Sequence, residues 1–208
     1  KNKFFDLILY LNLPLTFGVL FWGFSEISSQ SLEMYEIIGL TVSLGIVLSS
    51  NGINVAHELG HRKTTFEKTL SKLLLMPSLY MHFYVEHNFG HHKNVATNED
   101  PATAKKNQSL YSFWITSVVG QYFNAWRIQL KLLKQNGSPF LSLKNDMLFY
   151  VFFQSIYLIL IYIFFGTYTL LFAILVAIIS FLLLETINYI EHYGLLRKKV
   201  NGRYEKVQ

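Results

Sequence analysis

Hydrophobic residues in this chain come in long unbroken blocks, where a soluble domain would show short amphipathic segments. Leu7 to Phe24 and Ile37 to Ala56 carry no charged residue, and Met147 to Leu184 carries none over 38 residues. A bilayer core of about 30 Å is crossed by about 20 apolar residues of helix. The first two blocks therefore predict one crossing each, and the third has the length of two joined by a tight turn at Gly166-Thr167. The expected spans are residues 7–24, 37–56, 147–165 and 168–184. Asn12 and Pro14 fall inside the first, where neighbouring groups must satisfy the freed backbone. The expected fold is an all-α, polytopic transmembrane helical bundle forming a single membrane-embedded domain. Two stretches differ from the blocks. Leu110 to Lys134 mixes Trp114, Ile115, Tyr122, Phe123 and Trp126 with Arg127, Lys131 and Lys134, the pattern of an amphipathic helix on a membrane surface. Leu73 to Tyr84 is apolar but too short to span, so it either dips into the interface or packs on the bundle.

Charge placement adds orientation. The connector between the first two spans holds Glu26, Glu33 and Glu36 and no Lys or Arg, and the turn at Gly166 is uncharged. All 18 basic residues thus lie before the first span, between the second and third, or after the fourth. The positive-inside bias makes those segments cytoplasmic, including 57–146 and 185–208. It also explains the net charge of +5 without a nucleic-acid partner, through topology and contact with anionic membrane lipid. Composition agrees: 51% of the 208 residues are hydrophobic and only 15% charged. No cysteine is present, which excludes disulfide scaffolds, thiolate metal sites and thiol enzymes. No signal-peptide cleavage site follows the first block.

Candidate chemistry rests on the seven histidines. Six fall in three groups near cytoplasmic span ends: HELGH at 57–61, EHNFGHH at 86–92 and NYIEHYG at 188–194. Residues four apart share a helix face, so His57/His61 and His87/His91 form pairs, with His92 about a quarter-turn away. Glu185, Asn188 and His192 occupy one helical stripe, and the three groups can converge. Neutral imidazole is the commonest metal ligand, and ionisable groups at a membrane are costly and usually functional. HELGH alone matches the zinc-protease pattern in which the glutamate is general base. A catalytic zinc, however, takes three protein ligands and a water. Six imidazoles suit two ions with open positions, iron better than copper(I) in the absence of thiolate or thioether ligands. Paired irons imply oxygen activation. Glu58, Glu86 and Glu191 would orient imidazoles or accept protons; the plainer reading makes them helix-end carboxylates paired with Arg62 or Lys63.

At these residues the chain resembles the AlkB-type integral-membrane alkane 1-monooxygenases, of the wider membrane di-iron hydroxylase and desaturase class. The resemblance is carried by HELGHR at 57–62, EHNFGHHKNVATNEDPATA at 86–104, NYIEHYGLLRK at 188–198 and NGRYE at 201–205. It implies a centre of two non-haem Fe ions that hydroxylates the terminal methyl of a medium or long alkane to a primary alcohol, using O2. It further implies electrons from rubredoxin, itself reduced by an NADH-dependent rubredoxin reductase, and a bacterial inner membrane with the histidine boxes facing the cytoplasm. The implied ligands are His57, His61, His87, His91, His92 and His192, with no catalytic residue beyond them. His82 matches a histidine preceding the second box and is expected to support the site without touching metal. Asn54, Asp100 and Asn188 complete the expected supporting groups. Phe17, Phe21, Leu44, Leu48, Leu182 and Leu183 are candidate substrate-channel residues, and Lys105, Lys106, Arg127 or the Arg197 to Lys199 run candidate contacts for the electron donor.

Two departures carry expectations of their own. The family has a further HxxHH box downstream and usually six spans, so the chain is expected to be a fragment lacking both ends, unable alone to complete the two-iron site. The alternatives are a related hydroxylase of aromatic methyl groups or fatty acyl chains, an intramembrane HExxH zinc protease with Asp100 as third ligand, and a metal-handling or transport protein. The protease leaves four clustered histidines unexplained. The transporter would need an ionisable residue in mid-span.

Overall fold

The computed structural model describes residues 3–29, 31–200 and 203–205; Asn201 and Gly202 of the NGRYE string lie outside the described residues. Among the described residues the chain is mostly helical with almost no strand, and three helices are long and apolar enough to cross a membrane: Lys3–Ser28, Met34–Gly60 and Asp146–His192. The protein is a multi-pass membrane protein. It divides into two compact units, residues 1–84 with 146–184, and residues 85–145 with 185–208.

In the first unit, α1 (Lys3–Ser28) keeps Pro14 inside it. The second helix, α2, runs as α-helix over Met34–Val47, as π-helix over Leu48–Asn54 and as α-helix again over Val55–Gly60. Close approach is permitted by glycine. A Cβ on Gly23 would lie 2.5 Å from Leu44, and one on Gly45 2.4 Å from Ile179. The resulting core gathers Leu20, Phe24 and Ile27 with Leu44, Leu48, Ile161, Phe172 and Val176. Asn12, buried on α1, accepts a hydrogen bond from Asn51 Nδ2 of α2 at 3.0 Å.

Helix α3 (Thr65–Leu75) starts at Thr64, whose hydroxyl oxygen accepts the Glu67 N–H, the capping chemistry expected of threonine. It buries Glu67, Leu70, Ser71, Leu74 and Leu75, one 3.6-residue face. The following turn buries Pro77 and Ser78 and leaves Leu79, at φ 53°, half-buried, and Tyr80 and Met81 after it are buried in this unit, so the short apolar stretch packs and does not span.

Helix α6 (Asp146–His192) is interrupted at Gly166, with φ 83° and ψ 177°. The interruption reverses the chain. Met81 N–H donates to the Gln154 side chain and Tyr80 stacks on Phe181 at 5.1 Å, yet those two partners would lie about 40 Å apart on a straight helix. The φ/ψ of Gly166 is open essentially only to glycine.

In the second unit, α4 comprises the turn Phe83–Glu86, which begins in the first unit, then the π-helix His87–His91 and the turn His92–Asn94. Helix α5 (Leu110–Gln135) is capped by Ser109, and Gly137 at φ 59° closes its end. Its inward stripe is Phe113, Ser117, Gln121, Ala125, Gln129 and Leu133, while Tyr111, Ile115, Val119 and Phe123 are exposed. The apolar face thus points outward, as on a helix bordering lipid. After His192 a short β-ladder pairs β1 (Lys199–Val200) with β2 (Arg203–Tyr204).

Candidate metal centre

His57 and His61 lie on the last turn of α2, with rings 4.7 Å apart and edge to face. Each offers a nitrogen within 4.8 Å of the other's. The turn is fixed from behind: Ala56, Leu59 and Gly60 are buried, and Ser71 of α3 donates its hydroxyl to the Ala56 carbonyl at 2.6 Å. Glu58 points elsewhere. Its carboxylate takes Arg62 at 2.8 Å, and Arg62 also reaches Asp6 at 3.5 Å, the i, i+4 pairing expected of those charges. Asn54 is the exposed last residue of the π-segment. His82, also in this unit, is buried 4.3 Å from the Tyr80 ring. Burial pushes its pKa down to about 3, so it is neutral.

The second unit assembles four imidazoles. The His92 N–H bonds back to the His87 carbonyl, five residues earlier. A π-turn holds more residues than an α-turn, so positions five apart come into line. His92 accordingly lies 4.4 Å from His87, nearer than His91 at 5.3 Å, with His87 and His92 nitrogens within 4.8 Å. The α-helical spacing underestimated this approach. His192, at the end of α6, brings its ring to 5.0 Å from His91. Gly90 permits the turn: a Cβ there would meet Glu86 Oε1 and Ile128 at 2.8 Å and Asn124 at 3.1 Å.

Carboxylates stand behind these rings. Buried Asp100 binds His91 Nδ1 through Oδ2 at 3.0 Å, and also accepts the Thr103 hydroxyl at 2.5 Å and the Ala102 N–H at 3.1 Å. With Nδ1–H donating to the Asp100 carboxylate, neutral His91 would present the Nε2 lone pair to a metal. Burial alone would lower the His91 pKa, but the Asp100 contact raises it overall; burial would raise Asp100, and the same contact holds it down. Glu86, 1% exposed, accepts Asn124 Nδ2 at 3.1 Å, and burial, reinforced by the Asp100 charge, pushes its pKa up to about 7. Glu185, also fully buried, accepts the Ser117 hydroxyl at 2.5 Å and Gln121 Nε2 at 2.9 Å.

His91 therefore sits in the field of three buried carboxylates, Asp100, Glu86 and Glu185. Buried negative charge is stable only when paired, and neutral imidazoles beside it supply nitrogen donors. This donor set fits a divalent first-row metal ion. The pattern of the fatty acid desaturase family matches residues 36–208.

The chain belongs to the fatty acid desaturase family.

Among its relatives it is 36% identical to alkane 1-monooxygenase 1 of Alcanivorax borkumensis over 99% of this chain and 51% of that protein. It is 35% identical to the alkane 1-monooxygenase of Pseudomonas putida over the same shares. It is 30% identical to the xylene/toluene monooxygenase hydroxylase component of Pseudomonas putida, over 93% of this chain and 53% of that protein. The chain spans about half the length of these curated relatives.

For a desaturase-family chain, several supporting residues escaped sequence reasoning. Ser117, Gln121 and Asn124 of α5 serve Glu185 and Glu86, and Thr103 serves Asp100. Their one signal was neutral polar residues at i and i+4 on a helix otherwise rich in aromatics. Asn188 is half-buried and Glu191 exposed.

The channel candidates divide. Phe17 and Phe21 line an apolar cavity of about 730 Å³ in the first unit, with Leu73, Met76, Phe153 and Phe165 among its other walls. Leu44 and Leu48 are core residues outside that lining, and Leu182 and Leu183 are half-buried and also outside it.

Proposed function

We propose that this family member hydroxylates the terminal methyl of medium or long n-alkanes to primary alcohols, with O2 as oxidant and rubredoxin as electron donor. An NADH-dependent rubredoxin reductase would stand upstream. The observation that carries the reading is the imidazole cluster of the second unit with its carboxylate backing, in a chain about 35% identical to alkane 1-monooxygenases over nearly its whole length. His57, His61, His87, His91, His92 and His192 are the proposed ligands of two non-haem Fe ions. Once bound, the two irons supply the redox chemistry of dioxygen cleavage.

The chain's own residues do the rest. Asp100 orients His91 and fixes its tautomer. Glu86 and Glu185 add negative charge that favours a bound cation, and Ser71 steadies the turn bearing His57 and His61. The cavity at Phe17 and Phe21 lies in the size range of ligand pockets, about 300–1,000 Å³, and its lining suits a hydrocarbon chain. The proposed crossings are α1, α2 and the two arms of α6. The distribution of basic residues supports a reading in which the histidines face the cytoplasm from a bacterial inner membrane.

Glu58 engaged by Arg62 is not disposed as the general base an HExxH protease needs. The similarity to the xylene/toluene component favours, as a second reading, hydroxylation of an aromatic methyl group. Product analysis decides between them. Membranes containing the full-length protein, with NADH, reductase and rubredoxin, are offered octane, hexadecane, xylene and a fatty acid. Formation of 1-octanol or 1-hexadecanol is expected. Oxidation of xylene or the fatty acid alone would replace the alkane reading.

A further inference from the structure

The segment that leaves α5 displays its apolar side chains outward. Leu141 is 80% exposed, Leu143 86% and Phe140 50%. The backbone beneath them is nevertheless fixed. Asn145, fully buried, donates Nδ2 to the Phe140 carbonyl and its N–H to the Ser142 carbonyl, each at 3.0 Å. Gln129 Nε2 of α5 donates to the Lys144 carbonyl at 2.8 Å, and Ser138 N–H to the Leu133 carbonyl at 2.9 Å. The Phe140 ring stacks on Trp126 of α5 at 6.1 Å. A loop held this firmly while two leucines stay outside the core forgoes their burial, and an ordered apolar projection of that kind marks a contact surface.

Charge and chain position say what covers it. From Pro101 to Asn145 the sequence holds no Asp or Glu, and Arg127, Lys131, Lys134 and Lys144 are all exposed. Arg127, Lys131 and Lys134, at i, i+4 and i+7, share one face of α5, and that face continues the exposed stripe of Ile115, Val119 and Phe123. Leu143 stands four residues before Met147, where the uncharged block of α6 begins, and four residues reach at most about 14 Å. The leucines therefore lie close to lipid. Aromatic rings at the base, apolar side chains projecting and cations around them match the headgroup boundary of a bilayer, whose anionic lipids attract such clusters. A soluble partner would have to reach leucines that stand beside the membrane.

We propose that Phe140, Leu141 and Leu143 form a wedge inserted into the bilayer surface, with Arg127, Lys131, Lys134 and Lys144 holding anionic phospholipid headgroups around it. The wedge gives the second unit, which carries four of the proposed ligands, a membrane contact of its own. It depends on the chain being a membrane protein and stands apart from the monooxygenase reading.

The test uses the full-length protein, freed of any cysteine outside these 208 residues, in nanodiscs of phosphatidylcholine with or without phosphatidylglycerol. A fluorescent NBD label is placed at L141C, and at N98C, exposed on another loop, as the aqueous control. A depth of about 5–10 Å below the headgroups is expected for the L141C label. It should be quenched by shallow doxyl-labelled lipid and shielded from iodide, with N98C the reverse. Spin-labelled phosphatidylglycerol should associate with the protein in preference to spin-labelled phosphatidylcholine, and K131E/K134E/K144E should abolish that preference while the thermal midpoint holds. An L141C label as open to iodide as N98C would overturn the wedge. Equal association of the two spin-labelled lipids with wild type, or a preference untouched by the triple variant, would overturn the headgroup seat. Shielding of L141C that appears only when rubredoxin is added would also overturn the proposal and assign the loop to a protein partner.

Discussion

Asp100→Asn removes one charge and keeps the side chain's shape. His91 Nδ1 loses its anionic partner at 3.0 Å, and the Thr103 hydroxyl and Ala102 N–H lose a charged acceptor. Loss of a carboxylate that orients a ligating imidazole typically costs about 10- to 100-fold in metal affinity, or about 1.4 to 2.8 kcal/mol. The effect on the fold is of similar size. Replacing the three charge-assisted bonds by neutral ones costs roughly 1 kcal/mol each, about 3 kcal/mol in all, and this is partly offset because Asp100 and Glu86 repel one another. Iron affinity, measured by competition with a chromophoric chelator, should therefore fall at least tenfold. The thermal midpoint of the metal-free protein should drop by less than about 12 °C, at about 2–4 °C per kcal/mol for a chain of this size. A folded D100N protein that binds iron as tightly as wild type would falsify the role assigned to Asp100.

Three other perturbations have defined outcomes. His82 stays neutral to about pH 3 when folded but takes a proton near pH 6.5 when unfolded; stability is thus intact above about 6.5 and is lost as pH falls toward 3, by up to about 3 kcal/mol at pH 4.5. Thermal midpoints in detergent between pH 7 and 4.5 should fall less for His82→Gln than for wild type, and parallel curves would remove His82 as the cause. Gly90→Ala drives a Cβ to 2.8 Å from Glu86 and Ile128, whereas Gly39→Ala meets nothing within 4 Å; a loss of about 1–3 kcal/mol is expected only for the former, and equal midpoints would contradict the packing described. Gly166→Ala imposes a side chain at φ 83° and should destabilise by about 1–3 kcal/mol, with unchanged unfolding force in single-molecule pulling as the contrary result.

The helices were legible because lipid demands long uncharged blocks, and the reversal at Gly166 because one glycine interrupts 38 such residues. The histidine groups were legible because imidazoles in three tight clusters have few other uses, and the Glu58–Arg62 pair because i, i+4 charges face each other. The π-turns were not. Whether five residues close as α or π depends on what packs against them, and at Gly90 that is Ile128 and Asn124 of α5, far along the chain. Ser117 and Gln121 gain their meaning only from Glu185, 68 and 64 residues away. Leu44 and Leu48 show the same limit: a leucine in a span carries no mark that tells a cavity wall from a core.

The π-turn at His87–His91 has one further consequence. It amounts to a single peptide unit more than an α-helix of the same rise would hold. Deleting Phe89, exposed and half its surface open, would let the segment close with ordinary hydrogen bonds and would swing His87 by about 100° relative to His91 and His92. The shortened protein should fold at least as well and bind metal worse. Selection for folding alone therefore works against that extra residue, so its presence is a record of chemistry written into the length of the chain.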